Sequence, residues 1–403
     1  MFSTKYHEVR DTIMGEFVSL SEEEALRYAT AAASYDPQIA RLFWAEGLGT
    51  DGALDNLIIE TSRRIKEKTF HGSLFAVVPL YATSICAEQC TYCNYRAGNK
   101  GIGIERIRLS DAELVAEARF LIEEKGLRTL ELVYATDPLM RADSMCRHVE
   151  LIQRLLERSG GGSVGINAEA LDESEYRSLK NAGLSFAVLW QETYDRDRYR
   201  EVHPGSTKKT NFEYRLNAYE RMIAGGIRNI GMGVLSGIAD WKNDWAMLMS
   251  HENYLRQEYG IDIAILGIPR LKPAAGAALQ YSEFTPTDQE FLVALALHNI
   301  YSPNARAFVN TREDWELCVR LAQGGGCLFT FNCSTVPGGY SLGKRGCQFP
   351  THSYDAPAFS EGLRERGLHA VFQWAFDQPS ANPQGALGSS PICTDNSLSM
   401  ALS

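Results

Sequence analysis

The first seventy residues carry apolar side chains at helical spacing. "SLSEEEALRYATAAA" opens on Ser21 with Glu24 three positions later, an arrangement in which serine and glutamate cap the same helix start reciprocally. "ALDNLIIETSRRIKEKTF" keeps the same period, so residues 1–72 read as an N-terminal helical extension. From residue 74 the pattern changes to short apolar runs alternating with longer amphipathic stretches, the mark of strands and crossover helices in a parallel sheet. The predicted strands are 74–80, 129–134, 163–167, 185–190, 229–235, 262–268, 307–310 and 327–331. Between them, "LSDAELVAEARFLIEEKG" repeats the capping arrangement with Ser110 and Glu113 and stops at Gly126, and "DESEYRSLKNAG" closes on Gly183.

Eight strand and helix units between residues 73 and 335 fit a (β/α)8 TIM-type barrel, whereas a doubly wound sheet would normally use fewer strands. In such a barrel the site lies at the C-terminal ends of the strands. The longest of these connections, 81–109, leaves the first strand and therefore draws attention. Residues 336–403 read as a C-terminal extension rich in Gly, Pro and Ser, and "DQPSANPQGALGSSPICTDNSLSMALS" as its flexible tail.

Composition narrows the function classes. Over 403 residues, 40 Lys and Arg stand against 50 Asp and Glu, and the charges are dispersed, which argues against a nucleic-acid partner or a polybasic membrane patch. No window approaches the roughly 18 consecutive apolar residues of a membrane span, and the first residues lack a signal-peptide pattern. A cytoplasmic address follows. Nine cysteines, an odd and irregularly spaced set, then suggest free thiols and a metal or catalytic cluster rather than a disulfide framework.

Three of those cysteines, Cys86, Cys90 and Cys93, fall within "SICAEQCTYCNYR" in the long first loop. Three thiolates suit a [4Fe–4S] cluster whose fourth iron is left for a small molecule. A structural zinc would close its shell with a fourth nearby Cys or His, and the nearest histidine is His71, on the far side of the strand. Three unrelated core cysteines, or zinc completed by a distant residue, are the other readings of the triplet.

The spacing Cys-x3-Cys-x2-Cys, with the aromatic Tyr92 before the last cysteine, resembles the motif of the radical S-adenosylmethionine (SAM) enzymes. Further blocks, "WQETYDRDRYREVHPG", "GMGVLSGIADWKNDW", "GIPRLKPAAGA", "NTREDWE" and "STVPGGY", resemble in order and spacing the aromatic amino acid lyases of that superfamily. This family includes the tyrosine lyase of hydrogenase maturation, 2-iminoacetate synthase and 3-methyl-2-indolic acid synthase. The resemblance spans about residues 60 to 345 and implies a radical SAM barrel with one three-cysteine [4Fe–4S] cluster, SAM, and an electron donor such as flavodoxin or ferredoxin. It also implies that a 5′-deoxyadenosyl radical fragments a free aromatic amino acid. Tyrosine, cleaved at Cα–Cβ to p-cresol and dehydroglycine, is favoured over tryptophan, which would give an indole or methyl-indole acid.

By the same resemblance, Glu192 and Arg215 stand where relatives contact SAM, and Arg312 where relatives hold the substrate carboxylate. Each residue also has its own reading. Gln191 and Glu192 follow the fourth strand, where a polar pair faces a barrel site, or else a solvated loop. Arg312 follows the seventh strand, and a planar guanidinium clamps a carboxylate in two places, unless it answers Glu313 or Asp314 at a helix start. Arg270 is a third inward candidate, with a surface ion pair as its other reading. Tyr95 either packs near adenine and substrate or is a core aromatic. Ser334, Thr335, Gly338 and Gly339 follow the eighth strand, where backbone could approach a substrate.

Two departures from the family stand out. Relatives carry Gly-Glu after the second strand to receive the SAM amino group, and this chain has Ala135 and Thr136, with Asp137 adjacent. The C-terminal cysteines Cys327, Cys333, Cys347 and Cys393 form no compact pair, so no second cluster is expected. A radical SAM mutase or methyl-transferring enzyme on the same barrel, and a non-catalytic iron–sulfur scaffold, are the rival classes.

Overall fold

The computed structural model describes residues 1–99, 105–330, 333–352 and 356–376. Ten parallel strands form one sheet: β1 Ser73–Ala76, β2 Val78–Thr83, β3 Thr129–Tyr134, β4 Ser163–Asn167, β5 Phe186–Glu192, β6 Asn229–Val234, β7 Ile265–Gly267, β8 Arg306–Val309, β9 Leu328–Phe329 and β10 His369–Val371. Their spatial order is β10-β1-β9-β8-β7-β6-β5-β4-β3-β2. β1 and β2 are two stretches of one extended segment broken at Val77. The lower stretch pairs with β9 and the upper with β3, so this segment joins both ends of the sheet as a TIM-type barrel requires.

Nearly every strand position is buried, because helices cover the outside and side chains fill the inside, which is why the strands read as continuous apolar runs. Gly233 and Gly267 create interior room. A Cβ on Gly267 would lie 2.3 Å from the indole of Trp190, and one on Gly233 2.7 Å, so both glycines let that indole lie inside the barrel.

The helical extension packs on the barrel wall. Both capping arrangements, Ser21 with Glu24 and Ser110 with Glu113, are formed. The first helix, Phe2–Glu16, stacks Phe2 on His251 at 3.8 Å, and the Tyr6 hydroxyl donates to the Tyr194 carbonyl at 2.6 Å. Lys66, on the helix Ala53–Phe70, is buried and donates to the carbonyls of Ala322 and Gly326; burial pulls its pKa down to about 8.

Three strand expectations are corrected. The run 74–80 is divided between β1 and β2, 262–268 shortens to β7, and within 327–331 only Leu328–Phe329 is described as strand. The C-terminal extension also contributes structure that its composition concealed. β10 pairs with β1 at the lower end of the barrel, and Trp374 Nε1 donates to the Ala76 carbonyl at 2.6 Å. A three-residue strand offers no alternation to read. The tail from residue 377 lies outside the described residues.

Candidate functional site

The loop after β2 is held in shape by backbone hydrogen bonds within itself and to the segments that follow β3 and β5. Ser84 N–H donates to Ile107 O, Ala87 N–H to Thr136 O, Thr91 N–H to Val202 O and Ala97 N–H to Glu88 O. Arg106 fastens it from behind, its guanidinium donating to the carbonyls of Ser84, Tyr95, Arg96 and Asn99. An arginine has five donors in a rigid fork, so one side chain can satisfy several carbonyls that a tight loop leaves without partners.

This loop turns Cys86, Cys90 and Cys93 toward one cavity at the C-terminal end of the strands. Glu88 N–H points at the Cys86 sulfur, and Tyr95 N–H and Gln348 Nε2 at the Cys93 sulfur, each at 3.4 Å. Burial raises the pKa of all three thiols, and the charge of Lys209 opposes that rise at each. Among the described residues, no group of three or more His, Cys, Asp or Glu side chains is placed to hold a single metal ion. Three thiols that line one cavity, two of them receiving N–H donors, fit a multi-iron cluster better than a closed zinc shell.

Beside the thiols lies a buried charge cluster. Glu192 ends β5 at a register shift and has φ of 74°, a left-handed conformation that costs a side chain of this kind about 1–3 kcal/mol. Its Oε1 lies 3.0 Å from Lys209 Nζ and 3.5 Å from Arg215. Burial alone would raise its pKa, but Lys209 and Arg215 outweigh it and hold the carboxyl at about 2. Arg215 also donates through Nε to the Trp190 carbonyl at 2.9 Å. The Tyr92 hydroxyl meets His203 Nε2 at 2.8 Å, while His203 Nδ1 sits 2.9 Å from the Tyr199 carbonyl. Burial and Lys209 push His203 down to about 3, so the ring is neutral, donates from Nδ1 and accepts at Nε2.

Arg312 stands in the same cavity, just past β8. Its guanidinium stacks 3.4 Å from the Phe349 ring, its Nε is buried without a hydrogen-bond partner, and among the described residues it has no ion pair. The acids next to it in sequence are engaged elsewhere: Glu313 binds Arg270 and Lys272, and Asp314 caps Leu317 N–H. A buried guanidinium with an unmet donor, open to a cavity, is a place for an anion.

Several expected residues lie elsewhere. Arg270 does not line the cavity: Glu313, Asp288 and the Pro286 carbonyl take its donors, and the neighbouring Pro269 and Leu271 face inward instead. Gln191 points away from the cavity because side chains alternate along β5, leaving Trp190 and Glu192 facing in. Ser334 turns out of the cavity, its N–H bonded to the Tyr340 hydroxyl, and Cys333 lines the wall in its place. Thr335, Gly338 and Gly339 also lie off the wall, the Thr335 hydroxyl accepting from Gln348 N–H. Tyr95 does line the cavity, with its hydroxyl donating to the Thr335 carbonyl at 2.6 Å. Thr136 is on the wall, but Asp137 is spent on Arg108, Thr83 and Leu139 N–H and leaves no oxygen for a ligand's ammonium group.

The residues that the sequence reading missed include Lys209, Glu131, Asn167, Glu169, Cys333, Gln348 and Phe349, all on the cavity wall. Gln348 and Phe349 come from the C-terminal extension, anchored where Asn94 Nδ2 donates to the Cys347 carbonyl at 2.7 Å.

A parallel-stranded barrel with three thiols around an open cavity at its C-terminal rim defines a protein that holds an iron–sulfur cluster with a vacant iron for a small ligand. Residues 80–246 match the Radical SAM superfamily, whose members use a [4Fe–4S] cluster and SAM. It is 29% identical over 329 residues to 2-iminoacetate synthase of Escherichia coli (strain K12), covering 80% of this chain and 83% of that protein. The crystal structure of HydG, a maturase of the [FeFe]-hydrogenase, superposes with a TM-score of 0.81 at 25% identity, covering 92% of this chain and 80% of that one. HydG from Carboxydothermus hydrogenoformans gives 0.79 at 27% identity, covering 93% and 84%.

The donor set fits both cofactors. The three thiols would hold the cluster, and Thr136, Glu169, Glu192, Lys209 and Arg215 are the polar groups beside it that could meet the amino acid end and ribose of SAM. Among the described residues, no helix is long and apolar enough to cross a membrane.

Proposed function

We propose that this chain is a radical SAM lyase that fragments a free aromatic L-amino acid, tyrosine foremost, by breaking Cα–Cβ to give p-cresol and dehydroglycine. The observation that carries this reading is Arg312, a guanidinium with no ion pair among the described residues, stacked on Phe349 in the cavity that also receives the three cysteines. Similarity to 2-iminoacetate synthase supports it, because 2-iminoacetate is dehydroglycine.

When bound, the cluster and SAM would supply a 5′-deoxyadenosyl radical able to take a hydrogen atom from the substrate amino group. The protein's task is then positioning. Arg312 would hold the carboxylate in two places, fixing the amino group relative to the thiol-lined rim and the ring toward the barrel interior. Trp190 and Phe308, edge to face at 6.2 Å, would wall off the ring from water. The benzyl-type radical released by cleavage needs one further electron and a proton to end as p-cresol. A one-electron donor of the flavodoxin or ferredoxin kind and a cytoplasmic setting, where thiols stay reduced, fit this chemistry.

The test is anaerobic reconstitution, then incubation with SAM, dithionite and each of tyrosine, tryptophan and phenylalanine, with products read by mass. Tyrosine should stimulate 5′-deoxyadenosine formation and yield p-cresol. If no aromatic amino acid stimulates SAM cleavage above background, the lyase reading fails. Indole or a methyl-indole acid from tryptophan would move the substrate, and 5′-deoxyadenosine without C–C cleavage products would favour a mutase.

A further inference from the structure

Glu131 is a carboxyl group inside the barrel that the steps above do not use. It lies in the middle of β3, paired with Pro79 of β2 and Gly165 of β4, two residues deeper than Val133 and the Tyr81 beside it. The residue is 5% exposed and lines the same cavity as Arg312 and the cysteines. Asn167 Nδ2 donates to its Oε1 at 2.8 Å. Among the described residues, Oε2 has no hydrogen-bond partner, and no cation pairs with either oxygen.

A buried carboxyl group held in this way costs free energy unless something completes its hydrogen bonds. Burial pushes it up to about 7, opposed only by the Asn167 bond. Other buried carboxylates are completed by a cation, as Glu192 is by Lys209 and Glu313 by Arg270, or by several donors, as Glu117 is by Tyr340 N–H, the Ser341 hydroxyl and Leu342 N–H, whereas Glu131 has the single Asn167 donor among the described residues. Among the described residues the cavity therefore has two incompletely met groups of opposite need at different depths: a guanidinium at the rim with no ion pair, and a carboxyl in the interior with a donor at one oxygen only. Trp190 and Phe308 line the wall as well.

We propose that Glu131 is the specificity-determining residue for the substrate side chain, accepting a hydrogen bond from a donor at its distal end while Arg312 holds the carboxylate. The inference rests on the amino acid lyase reading and deepens it by naming the side chain. Aromatic walls and a carboxyl that is not compelled to be an anion at neutral pH suit a neutral donor on a ring, so the donor is the phenol hydroxyl of tyrosine. An indole N–H or a side-chain ammonium offers the same bond, and substrate comparison separates the three.

Holoenzyme reconstituted with cluster and SAM should be compared for wild type, Glu131→Gln and Glu131→Leu, with tyrosine, phenylalanine, tryptophan and lysine. The readouts are amino acid-dependent 5′-deoxyadenosine formation, equilibrium binding of each amino acid, and the cluster absorbance. Wild type should prefer tyrosine to phenylalanine in kcat/KM, and Glu131→Leu should shrink that ratio about 10- to 100-fold through KM, with cluster absorbance intact. Glu131→Gln keeps an acceptor and should retain part of the preference. A tyrosine to phenylalanine ratio unchanged in Glu131→Leu overturns this inference alone. Preference for lysine or tryptophan that depends on Glu131 overturns the phenol assignment. Should wild type respond to no aromatic amino acid, the lyase reading falls and this one with it.

Discussion

Arg306 opens β8 and Arg312 follows its end, and what surrounds them separates a structural cation from a binding one. Neither has an ion pair among the described residues, and each has a buried Nε without a hydrogen-bond partner. Arg306, at the lower end, is ringed by Phe70, Phe75, Trp374 and Phe376, with ring centres 5.2–5.4 Å from its guanidinium carbon. Arg312, at the upper end, stacks on Phe349 and otherwise faces a cavity shared with the thiols. Aromatic faces satisfy part of a cation's electrostatic demand, and four of them close around Arg306. One ring and an open volume leave Arg312 with an unmet charge. An orphan donor therefore argues for a ligand where space lies beside it, and for packing where rings fill that space.

The largest effect expected is at the rim. Arg312→Ala should lower kcat/KM for the amino acid about 100-fold or more by removing a charge-assisted, two-point contact. Cluster absorbance and the denaturation midpoint should stay near wild type. Loss of the cluster in this variant would place Arg312 in the cluster's support and break the comparison.

At the lower end the signs should reverse. Arg306→Ala removes a large buried side chain and four cation–π contacts, so stability should fall by about 2–4 kcal/mol in denaturant titration. Turnover of the folded fraction should stay within about twofold. Arg306→Met sharpens the point: an unbranched apolar chain of similar reach should recover most of the loss, since a buried charge is often replaced by packing at little cost. If Arg306→Ala kept its stability but lost activity, the lower end would have to be a functional site as well.

The sequence exposed what is local and concealed what is assembled. The barrel strands are apolar runs because both faces are covered, and the three cysteines fall within eight positions, so both can be read along the chain. Lys208 and Lys209 are identical in sequence terms, yet only the second is turned in to meet Glu192. Arg270 was placed inward because it follows a strand, but a one-residue difference in direction gives the wall to Pro269 and Leu271. Gln348, Phe349 and Trp374 sit in the Gly-, Pro- and Ser-rich C-terminal extension, and the partners of Gln348 and Trp374, Cys93 and Ala76, are more than two hundred residues away. Glu131 did leave a signal: one acid within "TLELVY", a strand otherwise made of residues suited to burial.

The smallest effect expected is in the pH dependence of stability, and it too divides the two ends. At the rim, His203 has a folded pKa of about 3 against its ordinary 6.5, and Glu192 about 2 against 4.5. For a depressed pKa the unfolded chain binds the proton first. The contribution of His203 is thus full above about 6.5 and declines as pH falls toward 3, and that of Glu192 declines from about 4.5 toward 2. Glu131, raised to about 7, and Asp244, raised to about 8, act oppositely, losing their contribution as pH rises through those values. The wild-type profile mixes these signs, so the informative quantity is the difference between wild type and His203→Gln. Their stabilities should converge as pH falls from 6.5 to 5.5, at up to about 1.4 kcal/mol per pH unit for one proton. Arg306→Met leaves His203 and its partners in place at the other end of the barrel, so it should parallel wild type throughout. Denaturant titrations at half-unit intervals check both, and a His203→Gln curve parallel to wild type below pH 6.5 would mean that the ring is not held neutral at the rim.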